Sequence, residues 1–313
     1  MGICHASKGT IHYKIEGEGT PILILHPLGT DYRSMYLWLE PLFKRCTGFQ
    51  RIYIDLPGHG ESTASHQLKT TDEMLLNVLE FIDMMMDKQQ FSMIGCSFGG
   101  YIAQGILDRK INQVKSLCLL APVLHLKERN LPMQTMVSDR TDEPIIKQWN
   151  ADVKNAYHSL VTYQNSVNAQ RFIDEIQPGR MLINKDVINT EWKENHYLFS
   201  EMPLAKVAGA NHKVLIIVGK QDHICGYQDH LDYFEKFPNK SYVAINNAGH
   251  LLHIEKRDFV LPMIEEWLHG IHKKRLTLQL IFLGGKHAHF IHHFHFTNNV
   301  YYIFTFHCTI HLF

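Results

Sequence analysis

The sequence has no excess of charge of either sign. Lysine and arginine together number 31 and so do aspartate and glutamate, which makes the formal net charge zero. A protein that binds the phosphate backbone of a nucleic acid has clustered basic residues, and no such cluster occurs in this sequence. Nucleic acid is therefore not an expected partner.

Long apolar runs, secretion signals and cysteine pairs are also missing. No run approaches the roughly 18 apolar residues that a membrane span requires, and residues 1–10 lack the cationic and apolar regions of a signal peptide. The cysteines form no CxxC pair and no dense disulfide framework. These absences predict a cytoplasmic protein with reduced thiols and without a membrane span. The six cysteines are Cys4, Cys46, Cys96, Cys118, Cys225 and Cys308.

Short apolar runs alternate with longer helical patterns along most of the 313 residues. This rhythm is typical of a mostly parallel sheet with helices on both faces. An earlier pair of strands around residues 11–15, turning at 17–19, predicts an antiparallel start to the same sheet. The six runs are 21–25, 51–54, 91–94, 114–120, 213–218 and 241–245.

Two longer segments separate these runs. In the first, Thr70 and Glu73 form a capping box ahead of apolar residues at helical spacing, which predicts a helix over one face of the sheet. In the second, residues 123–204, the strand rhythm stops and the sequence becomes helical and rich in aromatic residues. An insertion of this length between two strands is interpreted as a lid over the edge of the sheet. Its aromatic residues include Trp149, Tyr157, Tyr163, Phe172, Trp192, Tyr197 and Phe199.

The composition changes abruptly after Lys274. Residues 275–313 are rich in histidine and aromatic residues and nearly free of acidic ones. The run HFIHHFHF alternates with period two, so a strand and a histidine metal site are both conceivable. The preferred interpretation is an extension without a catalytic role.

The strongest local motif is GCSFGG at residues 95–100, which lies between an apolar run and a helical pattern that begins at Tyr101. A nucleophile on a tight strand-to-helix turn needs very small neighbours, and glycine stands on both sides of Ser97 at positions 95 and 99. The motif predicts Ser97 as nucleophile. The helix that follows adds the positive end of its dipole and a free backbone N–H at Phe98, both suited to an oxyanion.

A second oxyanion donor is expected in the HPLGT segment, residues 26–30, at the end of the run 21–25. Pro27 has no N–H, so the donor should be the backbone of Leu28. His26 is expected to brace the loop. The segment DLPGHGES, residues 55–62, is assigned a scaffold role that includes His59.

Position along the chain selects the acid and the base among many candidates, since histidine alone occurs 22 times. His250 lies in a glycine-containing loop after the run 241–245, whereas His253 stands one helical turn later and is expected only to pack. Asp222 follows the run 213–218, also at a carboxyl end. The hypothesis is that His250 is the general base and that Asp222 orients it.

Five motifs in this order, HPLGT, DLPGHGES, GCSFGG, VGKQD (218–222) and NAGH (247–250), resemble the α/β-hydrolase superfamily in its serine-nucleophile branch, over residues 1 to about 270. The resemblance implies a mostly parallel eight-stranded sheet flanked by helices, with a helical lid inserted after the sixth strand. It divides the chain into a core at 1–122 and 205–274, a lid at 123–204 and an extension at 275–313. The order Ser, Asp, His is the one that this fold uses.

The resemblance implies a serine hydrolase that acts through an acyl-enzyme intermediate, and the apolar and aromatic residues of the lid favour a small, largely apolar carboxylic ester as its substrate. Hydrolases of lactones, thioesters or carbon–carbon bonds, and a ligand receptor with little turnover, remain alternatives. A serine at the nucleophile position argues against epoxide hydrolases and dehalogenases, and the absence of an HGGP segment argues against proline iminopeptidases. No cofactor, metal ion or partner beyond a small-molecule ester is expected, and the oligomeric state is left open. Cys96, which precedes the nucleophile, is expected to be packed.

Overall fold

Each of the six apolar runs forms a strand of one sheet. Further strands precede the first run (β1 and β2), follow the second (β5) and lie between the fourth and the fifth (β8 and β9). The strands are β1 (Gly2–Ala6), β2 (Gly9–Glu16), β3 (Thr20–Leu25), β4 (Phe49–Ile54), β5 (Thr63–Ala64), β6 (Phe91–Cys96), β7 (Val114–Leu120), β8 (Val137–Ser138), β9 (Tyr163–Gln164), β10 (Lys213–Gly219) and β11 (Lys240–Ile245).

The computed structural model of the protein describes residues 1–65, 68–205 and 211–271. These residues belong to one compact unit that spans Met1–His272. The histidine-rich extension at 275–313 lies outside the described residues, and so do the strand and the metal site considered there.

Eight strands follow one another in the order β1-β2-β4-β3-β6-β7-β10-β11, and the two-residue β5 pairs with β2. From β4 to β11 every pairing in this order is parallel, whereas β1 and β4 both run antiparallel to β2. The predicted mostly parallel sheet is therefore confirmed, and the two-residue β5 adds a ninth strand to the eight that were predicted.

The antiparallel start differs in detail from the sequence-based prediction. The strand that precedes β2 and pairs with it is β1 (Gly2–Ala6), and a turn at residues 7 and 8 joins the two. The turn at residues 17–19 leads from β2 to β3, which do not pair, because β4 lies between them.

Helices cover both faces of the sheet. The predicted helix α2 has the expected capping box: the Thr70 hydroxyl accepts from the Glu73 N–H at 3.2 Å and the Glu73 carboxylate from the Thr70 N–H at 3.1 Å. The helices are α1 (Arg33–Phe43), α2 (Thr71–Met86), α3 (Phe98–Arg109), α4 (Glu143–Ile146), α5 (Ala151–Leu160), α6 (Ser166–Arg171), α7 (Gln177–Arg180), α8 (Gln228–Tyr233), α9 (Leu252–Glu255) and α10 (Arg257–Ile271). Two π-helical turns occur at Phe172–Ile176 and Trp192–His196.

Two apolar cores lie on opposite faces of the sheet. Helices α2 and α3 pack on one face, where Leu23, Met93 and Ile216 point. Helices α1 and α10 pack on the other, where Ile24, Ile94 and Ile217 point. Successive residues of a strand face opposite ways, so strands buried on both faces are apolar throughout, which explains the continuous runs in the sequence.

Residues 123–204, called the insertion below, lie between β7 and β10 and contain α4 to α7, both π-helical turns and the small sheet β8–β9. Its residues 153–176 share a third apolar cluster with the segment after β11, and this cluster includes Tyr157, Phe172, Leu251 and Ile254. The insertion is therefore packed on the end of the sheet to which the parallel strands point.

Candidate active site

The backbone of Ser97 occupies a conformation that side chains other than glycine rarely adopt, with φ 52° and ψ −117°. Its N–H donates to the Leu120 carbonyl at 2.8 Å, and its carbonyl accepts from the Val123 N–H at 3.1 Å. The end of β7 thereby holds the turn in place.

Close packing around this turn explains the two glycines of the motif. A Cβ at Gly95 would lie 2.8 Å from the Gly99 carbonyl oxygen, and one at Gly99 would lie 2.4 Å from the Leu25 carbonyl oxygen. Real Cβ atoms do not approach other atoms so closely. The sequence argument that only glycine fits at both positions is confirmed, and the contact brings the first turn of α3 against the end of β3.

The structure brings Ser97, His250 and Asp222 together. The Ser97 Oγ lies 2.9 Å from His250 Nε2, and His250 Nδ1 lies 2.9 Å from Asp222 Oδ2. All three side chains stand on loops at the carboxyl ends of parallel strands, after β6, β11 and β10. These ends meet at one edge of a sheet, which is where open α/β sheets form their sites.

The acid and the base shift each other's pKa. Burial is the largest influence on His250 and acts to lower its pKa, but the charge of Asp222, followed by a contribution from Cys225, outweighs it and holds the pKa well above 6.5. Burial acts to raise the pKa of Asp222, yet the His250 imidazole and the backbone N–H groups of Cys225 and Ile224 bring it below 3.8. The pair thus favours a carboxylate beside a strongly basic imidazole.

Hydrogen bonds to the backbone fix the two loops relative to one another. Asp222 Oδ1 accepts from the N–H groups of Ile224 and Cys225, each at 2.9 Å, which leaves Oδ2 for His250. Gln221 exchanges two bonds with Ala248: its N–H donates to the Ala248 carbonyl at 2.9 Å, and its Oε1 accepts from the Ala248 N–H at 3.1 Å. Gln221 was not predicted from the sequence, where its only visible signal is its position before Asp222.

The backbone amides of Leu28 and Phe98, the predicted oxyanion donors, lie on adjacent segments. Phe98 is the first residue of α3, and Leu28 follows the end of β3 in a turn where Gly29 has φ 75°. Neither amide donates to another residue in the part of the chain that the structure describes. Both N–H groups are available to an acceptor from outside the protein.

The remaining histidines near the site have structural contacts. His26 Nε2 accepts from the Leu56 N–H at 2.8 Å and its Nδ1 donates to the Pro27 carbonyl at 2.8 Å, so it braces the loop as expected. Burial lowers the pKa of His26 to about 4 and that of His59 to about 3, so both are neutral. His253 stacks on Trp38 at a ring distance of 5.4 Å, and burial lowers its pKa well below 6.5.

Two clusters of side chains in the described residues could offer ligands to a metal ion. One consists of Cys46, Glu265 and His269, and the other of Asp222, Cys225 and His250. The second coincides with the acid and base, whose facing atoms already bond to each other. Cys96 is buried, and burial raises its pKa, so its thiol is a packed group as the sequence suggested.

The second half of the insertion covers the nucleophile side of the site. Tyr197 stacks on the Phe98 ring at 5.4 Å, Trp192 meets the same ring edge-on at 5.6 Å, and the Phe199 N–H donates to the Tyr101 hydroxyl at 2.9 Å. Ser97 is 5% exposed and His250 is 4% exposed. A cavity of about 630 Å³ lies against residues 193–200 and is lined by Val123 and Tyr197, but neither Ser97 nor His250 lines it.

Comparisons with known proteins identify the fold family. Residues 20–257 match the model of a family described as alpha/beta hydrolase fold. Within the part of the chain that the structure describes, no helix combines the length and apolar character needed to cross a bilayer.

Three relatives illustrate the likeness. An (E)-2-((N-methylformamido)methylene)succinate hydrolase of Acinetobacter baylyi is 21% identical over 270 residues, which cover 84% of this chain and 95% of the relative. The crystal structure of an alpha/beta superfamily hydrolase from Oenococcus oeni has a TM-score of 0.77 at 28% identity and covers 87% of this chain and 100% of its own. A thermophilic esterase from Thermogutta terrifontis has a TM-score of 0.63 at 21% identity, over 87% of this chain and 100% of its own.

Proposed function

Because the chain belongs to the alpha/beta hydrolase fold family, we propose that it is a serine hydrolase that cleaves a small, largely apolar carboxylic ester through an acyl-enzyme intermediate. The observation that carries this proposal is the continuous hydrogen-bond chain from the Ser97 hydroxyl through both nitrogens of His250 to Asp222. A cytoplasmic location stays a prediction of the sequence.

The proposed chemistry uses the same groups in both half-reactions. His250 Nε2 takes the Ser97 proton as Oγ attacks the ester carbonyl, and the amides of Leu28 and Phe98 bind the oxyanion that forms. His250 then protonates the leaving alkoxide, which leaves the acyl group on Ser97. Water, deprotonated by the same imidazole, attacks the acyl-enzyme, and the imidazole returns that proton to Ser97 Oγ as the acid leaves. Asp222 keeps the imidazole proton on Nδ1 and stabilises the imidazolium.

We propose that the insertion acts as the lid and forms the wall of the acyl pocket. Its aromatic side chains Trp192 and Tyr197, which contact Phe98 beside the nucleophile, support an apolar acyl group. The low exposure of Ser97 and His250 implies that part of the insertion moves when substrate enters.

The test is active-site labelling followed by turnover. A fluorophosphonate should label one site per chain, Ser97→Ala should abolish labelling, and the exposed Ser200→Ala should label like the wild type. With aryl esters from acetate to long acyl chains, we expect steady turnover that Ser97→Ala lowers by roughly 10⁶-fold, as in well-studied serine proteases.

Other results would identify the alternatives. Stoichiometric labelling without steady turnover of any ester would indicate a receptor. Faster turnover of lactones or thioesters, offered in the same panel, would replace the ester as the substrate class. A Ser97→Ala variant that still turns over substrate would refute the proposal altogether.

A further inference from the structure

Glu255 binds the loop that carries His250 without contacting any of the three reacting side chains. It is the last residue of α9, and its Oε2 accepts from the N–H of Gly249 at 3.0 Å, next to His250 in the chain. The same carboxylate accepts from the N–H groups of Thr162 and Tyr163, each at 3.2 Å. One acidic side chain therefore joins the base loop to the insertion.

The three donors favour an ionised carboxylate. A carboxylate is purely an acceptor, with room for about four hydrogen bonds, and backbone N–H donors to it form charge-assisted bonds. A protonated carboxyl group has less acceptor capacity and accepts only the weaker neutral bonds, so protonation would loosen the hold of Glu255 on these N–H groups.

The packing around Gly249 is too tight for the loop to shift freely. A Cβ on Gly249 would lie 2.1 Å from the Thr162 hydroxyl and 2.8 Å from Glu255 Oε1. A further contact joins the same segments, since the Tyr163 hydroxyl donates to Asn247 Oδ1 at 2.8 Å. The loop before His250 is thus packed tightly between the insertion and Glu255.

We propose that Glu255 is a positioning residue for His250: its ionised carboxylate holds the Gly249 N–H and thereby keeps Nε2 in line with the Ser97 hydroxyl. The inference rests on the proposed function, because it takes His250 to be the general base. Misplacing a reacting group by about 1 Å can cost about 100-fold in rate, so such a support has a large effect on turnover.

The groups facing Glu255 make its charge sensitive to pH. Tyr157 of α5 and Tyr163 of β9 are neutral near pH 7, Asp222 contributes a negative charge, and His250 lies on the supported loop. Burial, more than the charge of Asp222, raises the pKa of Glu255 to about 7. Glu255 then loses its charge as the pH falls through about 7.

Protonation of His250 and protonation of Glu255 should each lower activity, which predicts that kcat/KM depends on two protons at acidic pH. His250 must be neutral to accept a proton and Glu255 must be ionised to hold the loop, so kcat/KM of the wild type should fall with a slope approaching two below both pKa values. In Glu255→Gln only His250 titrates, so the slope should approach one. Its kcat at high pH should fall roughly 10- to 100-fold, with KM within about threefold because Glu255 does not touch substrate.

The experiment measures kcat, KM and the acid limb of kcat/KM on one aryl ester for the wild type, Glu255→Gln and Glu255→Asp, with folding checked by circular dichroism. Glu255→Asp keeps the charge on a shorter side chain and should show the two-proton slope with an intermediate kcat. The matched control is Glu175→Gln, which removes a buried carboxylate that pairs with Arg257 at 2.6 Å at the same interface but does not bond the base loop. It should lower the melting temperature and keep the two-proton slope.

A Glu255→Gln variant with wild-type kcat and a two-proton slope would overturn the inference. If Glu255→Gln fails to fold, Glu255→Asp decides: unchanged kcat would overturn the inference, and reduced kcat with the two-proton slope would support it. A Ser97→Ala variant that remains active would instead refute the proposed function, so the two failures are distinguishable.

Discussion

At the scale of single residues, the two oxygens of Asp222 have separate tasks. Oδ1 accepts from two backbone N–H groups and Oδ2 accepts from His250 Nδ1. The backbone bonds fix which oxygen faces the imidazole. The neutral Asp222→Asn side chain would keep its Oδ1 on the same N–H groups and turn its amide N–H₂ toward His250.

We therefore expect Asp222→Asn to force the imidazole into the wrong tautomer. Nδ1 would have to accept from the amide, the proton would move to Nε2, and Nε2 could no longer accept the Ser97 proton. In the trypsin-type triad the corresponding change lowers kcat about 10⁴-fold. The measurement is kcat/KM on one aryl ester. His253→Ala is the control and should stay within about tenfold of wild type, whereas an inactive His253 variant beside an active Asp222 variant would contradict the assignment.

Residues that belong to a local motif could be found from the sequence, and residues that act through distant partners could not. Ser97 is marked by its flanking glycines, and His250 by its loop after a strand. Glu255 belongs to no motif that was identified in the sequence: it lies six positions after Gly249, and its other partner Thr162 stands 93 positions earlier in the chain. Gln221 is similar, since Ala248 lies 27 positions later.

At the scale of elements, the two tryptophans of the insertion have different surroundings. Trp192 meets the Phe98 ring beside the nucleophile, whereas Trp149 packs against Tyr157 and Phe172 in the apolar cluster shared with the segment after β11. The aromatic residues that the sequence presents as one set therefore divide into a group beside Ser97 and a group beside the segment after β11.

We expect Trp192→Leu to change acyl-chain preference and Trp149→Leu to change mainly stability. Removing part of a pocket wall admits longer chains, and a single methylene is worth about 1–3 kcal/mol of discrimination in an apolar pocket. The ratio of long-chain to short-chain kcat/KM should thus rise at least roughly threefold for Trp192→Leu. The ratio should stay near that of wild type for Trp149→Leu, whose melting temperature should fall. Equal ratios in both variants would show that Trp192 does not line the acyl pocket.

Elements were predictable where local signals define them. Helix α2 has its capping box and apolar spacing in consecutive residues, so its start at Thr71 follows from the sequence. Strand β1 was not identified, because only part of GICHA is apolar and the strand lies at the edge of the sheet with Ile3 exposed. The placement of β4 between β2 and β3 depends on pairing between segments far apart in the chain, which no local pattern records.

At the scale of the whole molecule, every residue assigned to the site lies between Leu28 and Glu255. The change in composition after Lys274 supports an appendage to this unit. We expect a chain that ends at Lys274 to hydrolyse aryl esters within a few-fold of the full chain. Purified preparations of both lengths, compared for kcat/KM and melting temperature, provide the measurement. A soluble, folded truncation without activity would assign the extension a catalytic role.

The contacts of the insertion also determine which segment should be exchanged when this enzyme is recombined with its relatives. Its first half bonds Asn247 and Glu255 beside the base, and its second half packs on Phe98 and Tyr101 beside the nucleophile. Substitutions on the two sides share one stretch of chain, so their effects should not add independently. A chimera that exchanges half of the insertion would therefore keep the contacts on one side of the site and lose those on the other. One that exchanges all of residues 123–204, together with the residues they touch on both sides, should keep both sets of contacts.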